Sequence, residues 1–366
     1  MENVFITIKY TFHSVVYVRS FVSKASLTVV MALTALSVSL PIANAEPTRT
    51  NWTSPTTKSL FSVFMVSAND GWAVGAVGTI IHWDGTNWKT TTSPTTDNLN
   101  SVFMVSANDG WAVGAVGTII HWDGTNWKTT TSPTTDNLNS VFMVSANDGW
   151  AVGVSGIIIR WDGTNWKTAT SPIAAEFISV FMVSANDGWA VGLLGTIIRW
   201  DGTNWKTVTS PIAATFDSVF MVSASEGWAV GDGGTIIRWD GTNWNNATSP
   251  TSSSLLSVFM VGAADGWAVG WDGTIIRWDG TGWSDATSPT SQNYLGSVSM
   301  VGAADGWAVG WAGTIIHWNG SQWVPEFPMA TLATLLVTVT LVTVILTRAV
   351  SRKRRSPLLT TNNKTP

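Results

Sequence analysis

Through the middle of the chain, apolar and polar positions recur in one short cycle. In its first copy Ser62-Val-Phe-Met-Val-Ser-Ala68 is β-branched and aromatic, and Asn69-Asp70-Gly71 turns the chain. Trp72-Ala-Val-Gly75 follows, then a hairpin tip ending at Gly78, then Thr79-Ile-Ile-His-Trp83. Asp84-Gly85-Thr86-Asn87 turns again into Trp88-Lys-Thr-Thr-Thr92, and Ser93-Pro94 leads to the next copy. Asn-Gly and Asp-Gly pairs between strand-like runs are the strongest local sign of a hairpin. Each cycle therefore predicts four short antiparallel strands.

The Gly-Trp dipeptide marks the period, with Trp at 72, 111, 150, 189, 228, 267 and 307, a spacing of 39 residues that becomes 40 at the last step. Residues 62–100 are identical to residues 101–139. Seven four-stranded units predict an all-β, seven-bladed β-propeller over residues 46–324. A blade packs on neighbours through both faces, so its strands read as continuous apolar runs rather than alternations. Trp72, Trp83, Trp88 and their equivalents account for 21 of the 24 Trp and are expected to be wedges between blades. Ring closure has eight candidates for seven outer strands. Thr50-Asn51-Trp52 copies the fourth-strand motif ahead of the first unit, and Gln322-Trp323 supplies it again at the end. The expectation is that the strand near Trp52 closes the ring on the last blade and Trp323 leads out of it.

Both ends of the chain differ from this cycle. Residues 1–45 hold basic Lys9, Arg19 and Lys24, an apolar run from Ala25 to about Leu40, and Ala43-Asn44-Ala45, the layout of a secretory signal peptide. Residues 329–347 carry no charge and are long enough to cross a ~30 Å hydrocarbon core as one transmembrane helix. Arg348, Arg352, Lys353, Arg354 and Arg355 follow, which places residues 348–366 in the cytoplasm and the propeller outside, a membrane-anchored cell-surface arrangement. Residues 46–328 hold 10 basic and 22 acidic residues, a balance that argues against nucleic acid as a partner. The chain has no Cys and four His, so disulfides, thiolate metal sites and a Cys nucleophile are excluded, and no cofactor or metal is expected.

Two resemblances follow from these residues. Val324-Pro325-Glu326-Phe327-Pro328, one hydrophobic helix and a basic tail resemble the archaeal PEF-CTERM surface-sorting signals. That resemblance makes residues 325–328 a sorting motif and implies processing by a sorting enzyme that exchanges the helix for a lipid. The unit Asp-Gly-Trp-Ala-Val-Gly-x-x-Gly-Thr-Ile-Ile-x-Trp-Asp-Gly-Thr-x-Trp resembles photosystem II stability/assembly-factor-like propellers and the wider BNR/Asp-box group. It departs from an Asp-box, which has Ser or Thr two residues before the Asp where His82 or Arg160 stands here. A photosystem role is not implied. The layout also resembles tectonin repeats, which are propeller lectins.

Variation sorts the candidate residues. The Asp-Gly turns hardly change between units, whereas the hairpin tips run from Ala76-Val77 through Val154-Ser155, Leu193-Leu194 and Asp232-Gly233 to Trp271-Asp272 and Trp311-Ala312. The inter-unit loops, such as Gln292-Asn293-Tyr294, vary likewise and share the tips' rim. This rim is the expected recognition face, with Trp271, Trp311, Asp232, Asp272 and Tyr294 as ligand-binding candidates. Exposed Trp stacks on a sugar ring or grips an apolar side chain; a tip that folds over to fill a gap is the structural alternative. On the other rim His82, His121, Arg160, Arg199, Arg238, Arg277 and His317 form a seven-fold set two residues before an Asp or its equivalent. It is either an anion-binding ring or a set of partners for the turn carboxylates, the plainer reading. Asp70 and Asp84 types suit calcium by chemistry, but each Asp-Gly is already accounted for as a turn.

Catalysis needs a unique constellation of complementary groups. This region offers near-copies and a single Tyr outside the leader, Tyr294, so no catalytic residues are expected. The expected function is a non-enzymatic surface scaffold for protein interaction or adhesion. A tectonin-like lectin is the alternative, with a degenerate glycoside hydrolase behind it. Asn51, Asn246 and Asn319 begin N-glycosylation sequons.

Overall fold

The computed structural model describes residues 54–290 and 293–326. The first unit folds as β1 (Leu60–Ser67), β2 (Asp70–Gly75), β3 (Ile80–Trp83) and β4 (Trp88–Thr90), paired in that order and antiparallel throughout. Six further four-stranded sheets repeat it, giving the seven blades expected. Each first strand packs on the first strands of both neighbouring blades, including those of blades 1 and 7. Seven such strands therefore surround one central axis.

Side chains of opposite size make the faces of neighbouring blades fit. Trp72, Val74 and Ile80 of blade 1 pack against Leu99, Val102, Met104, Ala112 and Ile120 of blade 2. A strict alternation would not place both Leu60 and Val63 in the core; β1 does so because its pairing with β2 slips between Leu60 and Ser62. Gly75 answers to close approach, since a Cβ there would lie 2.0 Å from the Ser59 carbonyl oxygen. That approach lets the Ala76 N–H donate to Ser59 O at 2.9 Å.

The Trp wedges are organised as triads. Trp72 of blade 1 lies 4.7 Å from Trp122 and 5.4 Å, edge to face, from Trp127 of blade 2. The same trio forms at every seam, and Trp307 of blade 7 meets Trp83 at 4.7 Å and Trp88 at 5.5 Å. Indole N–H groups such as those of Trp72, Trp127, Trp150 and Trp205 are buried without a hydrogen-bond acceptor. In the perpendicular pairs an electropositive ring edge meets a π face, the favoured arrangement of two quadrupoles.

The closure expectation is corrected here. Trp323 does not lead away: the fourth strand of blade 7 is Trp323–Glu326, with Trp323 opposite Trp318 and Pro325 opposite Ile316. Asn319 is the reason. Its Oδ1 accepts the N–H groups of Ser321 at 3.1 Å and Gln322 at 3.0 Å, doing the work that Asp84 does in blade 1, so the local hairpin forms. Pro325 is tolerated because an outermost strand needs no further donor. Trp52, the expected leader over residues 1–45, the expected transmembrane helix at 329–347 and the basic tail lie outside the described residues. Among the described residues no helix is long and apolar enough to cross a membrane.

The ring closes through side chains and backbone donors. One Ser per first strand accepts a backbone N–H from the next blade: Ser62 from Val102 at 3.2 Å, Ser101 from Val141 at 3.2 Å, and so on to Ser297 from Val63 at 3.1 Å. The Phe64, Phe103, Phe142, Phe181, Phe220 and Phe259 rings run in one arc with neighbouring centroids 4.6–4.9 Å apart. Ser299 interrupts the arc and accepts the Met65 N–H at 3.0 Å, a second bond across the seam. Ser297→Ala leaves the Val63 N–H without its acceptor and is expected to cost about 1–3 kcal/mol in a urea titration. A change below 0.3 kcal/mol would remove this bond from the account of closure.

Candidate functional site

The hairpin tips and the inter-blade loops do lie on one rim. Each tip is a tight turn such as Ala76–Gly78, and its first N–H donates to the carbonyl of the residue just before that blade's first strand. The side chain of that same residue caps the preceding blade's tip where it is short and polar. Asn98 Oδ1 accepts the Val77 N–H and Asn137 Oδ1 the Val116 N–H, both at 2.9 Å. Six tips place a non-glycine residue in the left-handed region: Val77, Val116, Ser155, Leu194, Asp272 and Ala312, with φ between 53° and 58°. This is most costly for β-branched Val. Glycine would hold the same turn at lower cost, as Gly233 does in blade 5, so these positions keep their side chains against local strain.

Among these tips the structure joins three of the singled-out residues. Tyr294 stands between Trp271 of blade 6 and Trp311 of blade 7, with ring centroids 5.9 and 6.0 Å away and planes within 28° and 22°. Trp271 is 53% exposed and Trp311 55%, so neither tip folds inward to fill a gap. Backbone holds the ladder in place: the Trp311 N–H donates to Tyr294 O at 3.1 Å and the Trp271 N–H to Ser254 O at 2.9 Å. Burial pushes the Tyr294 phenol up, with its hydrogen bond to the Ser59 side chain partly offsetting it. Asp272 is exposed beside Trp271. Asp232 is exposed on the blade 5 tip, where its Oδ1 accepts from Ser254 Oγ at 3.3 Å.

Asp217, the second residue of blade 5's first strand, was not visible as special in the sequence. Its Oδ2 is buried without a partner. Burial, reinforced by the charge of Asp232, pushes its carboxyl up to about 7. The signal available was that this strand position differs between units, as Phe61, Asn100, Asn139, Ile178, Asp217, Leu256 and Gly296.

On the opposite rim each His and Arg of the seven-fold set has a carboxylate partner. His82 Nε2 meets Asp70 at 2.7 Å, His121 meets Asp109 at 2.8 Å and His317 meets Asp305 at 2.7 Å. Arg160, Arg199 and Arg277 pair likewise with Asp148, Asp187 and Asp265 at 2.8–3.1 Å, and Arg238 pairs with Glu226. Each Arg also lies over two Trp faces: Arg160 is 5.0 Å from the Trp150 centroid and 5.8 Å from that of Trp200. Asp84 Oδ1 accepts the N–H groups of Thr86 and Asn87 while Oδ2 takes Lys89. Lys89 first, then these backbone donors, hold Asp84 below the usual carboxylate range. Among the described residues no three His, Asp or Glu converge as a metal site. A groove of about 700 Å³ opens between blades 5 and 6, walled by Arg238, Trp278, Asn245 and Asn246, against about 250 Å³ between blades 3 and 4. It is wider where Asn245 replaces the Lys of earlier blades and Gly282 replaces their Asn.

No family model matches the chain, and no curated protein matches it. Solved structures do. YCF48 bound to D1 peptide aligns with a TM-score of 0.63 at 19% identity, covering 76% of this chain and 99% of that one. YCF48 from Cyanidioschyzon merolae gives 0.60 at 19% identity, over 74% and 98%. The WD40 β-propeller domain of Doa1 gives 0.60 at 17% identity, over 73% and 95%. What is shared is the propeller fold. At such identities the likeness extends to architecture and not to individual side chains.

Proposed function

We propose that this chain is a non-enzymatic interaction scaffold that holds a protein segment on its tip rim. One observation carries the reading: the large apolar side chains left exposed gather there. Val77, Val116, Leu193, Leu194, Trp271 and Trp311 stand on the tips and Ile173 and Ile212 on the inter-blade loops, whereas Val301 alone of the exposed set stands toward the other rim. Trp271 and Trp311 adjoin there through Tyr294, and an exposed apolar patch of this kind marks an interaction site. The described strain at the tips supports the same face. A fold neighbour captured with a peptide, YCF48 bound to D1 peptide, supports the partner class.

The leader at 1–45, the span at 329–347 and the basic tail at 348–366 support a propeller held outside the cell by one C-terminal anchor. The resemblance of residues 325–328 to a sorting motif supports processing of that anchor. The exposed faces of Trp271 and Trp311 favour a second reading, a glycan ligand, because indole faces stack on sugar rings.

Panning the full chain in mild detergent against a random peptide library and a glycan array separates these readings. The expected result is peptide binders whose affinity falls at least tenfold in Trp271→Ala combined with Trp311→Ala. Glycan binding with the same dependence and no peptide binders would replace the scaffold with a lectin.

A further inference from the structure

Both rims are acidic, Asp240 and Asp279 on the Asp-Gly-turn rim having no cation partner among the described residues, and they differ in how far their charges are paired. Across the Asp-Gly-turn rim every Arg is ion-paired, and Lys89, Lys128, Lys167 and Lys206 each pair with the turn Asp of their own blade. Among the described residues the tip rim holds Asp97, Asp136, Glu176, Asp232 and Asp272, besides the half-buried Asp217, against the one cation Lys58. Among the described residues no ion pair lies on it. The two exposed carboxylates of this group, Asp232 and Asp272, stand on the tips of blades 5 and 6. Ser254 connects Asp232 to the aromatic ladder, with its side chain on Asp232 and its carbonyl on the Trp271 N–H.

We propose that the tip rim of blades 5 to 7 takes a cationic peptide segment, whose Arg or Lys side chains lie against the Trp271–Tyr294–Trp311 ladder and opposite Asp232 and Asp272. This rests on the scaffold reading and names the chemistry of its partner. A cation set against the exposed face of Trp271 or of Trp311 lies within ~6 Å of that ring's centroid, the range in which a π face attracts it. Tyr294, 5.9 and 6.0 Å from their centroids, stands between the two Trp rings with its plane near parallel to both. The molecule already uses this contact internally, with Arg160 over Trp150 and Trp200. On the tip rim the aromatic side chains are present, and among the described residues no cation lies over them. The exposed carboxylates of Asp232 and Asp272 select its sign, and an acidic segment would meet like charge from both. An apolar side chain on the same peptide suits Leu194, 80% exposed on the blade 4 tip.

Three labelled nine-residue peptides test this on the full chain in mild detergent: Arg-Ser-Leu, Gln-Ser-Leu and Glu-Ser-Leu, each repeated three times. The Arg peptide is expected to bind at least tenfold tighter than the Gln peptide, and the Glu peptide weakest. Its affinity falls at least tenfold in Trp271→Ala with Trp311→Ala and again in Asp232→Lys with Asp272→Asn, and it weakens as salt rises from 50 to 300 mM. Thermal melting of each variant within a few degrees of the parent shows that the loss is one of binding. Equal binding of the Arg, Gln and Glu peptides, still dependent on the two Trp, overturns the cationic proposal and leaves the scaffold standing. Failure of all peptides together with Trp-dependent glycan binding overturns both.

Discussion

Trp189→Ala and Trp307→Ala are each expected to destabilise the propeller by about 3–5 kcal/mol, and by the same amount within error. Trp189 is fully buried and packs on Trp239 at 4.7 Å and Trp244 at 5.4 Å of the following blade. Trp307 makes the same contacts with Trp83 and Trp88, across a seam that joins the two ends of the repeat. A buried indole removes some 150–250 Å² from water, and Ala in its place leaves a cavity that rigid neighbouring sheets fill only in part. The comparison matters more than either value. In a closed ring the seam is an ordinary inter-blade interface, so Trp307 costs as much as Trp189. In a stack with free ends the terminal interface would be absent and Trp307→Ala would cost little. Urea titration of both variants decides between these.

Asp217→Asn is expected to stabilise the protein, and increasingly so as pH rises. The folded-state carboxyl titrates at about 7 against an ordinary 3.8, with burial the main cause and Asp232 the second. Between those values the folded chain holds a proton that the unfolded chain has lost. Stability therefore falls with rising pH across this window, the reverse of a salt-bridged Asp, and the cost is complete only above pH 7. The gap between variant and parent is expected to widen by on the order of 2–4 kcal/mol from pH 4 to pH 8. Asn is the substitution the molecule already uses at this register. Asn100 Nδ2 donates to Leu138 O and Asn139 Nδ2 to Phe177 O, both at 2.9 Å, each reaching the next blade's first strand. The variant amide has the corresponding Leu255 carbonyl within its pattern. A gap that stays constant with pH would show that Asp217 is solvated and ionised.

Much of the blade was legible because its signals are local. Each Asp-Gly turn is specified within four residues, and the triads follow from three Trp placed at fixed offsets. Closure was not legible, because the same Thr-Asn-Trp-like motif stands at both ends and a motif does not say which copy pairs. What decides it is partly local, Asn319 forming the turn that brings Trp323 back to Trp318. The rest is long-range, as in the Val63 to Ser297 bond. The aromatic ladder could be suspected because Trp271 and Trp311 break a repeat. Asp217 could not, since the slipped register after the first residue of the strand decides where the second side chain goes, and a period-of-two reading misplaces it.

The account centres on recognition by the tip rim, and paired variants on the two rims test it most directly. Affinity for a peptide selected on the full chain is measured in Trp271→Ala with Trp311→Ala, and in Lys89→Ala with Lys128→Ala on the opposite rim. The account predicts at least a tenfold loss in the first pair and less than a twofold change in the second. Loss confined to the second pair would place recognition on the Asp-Gly-turn rim and contradict it.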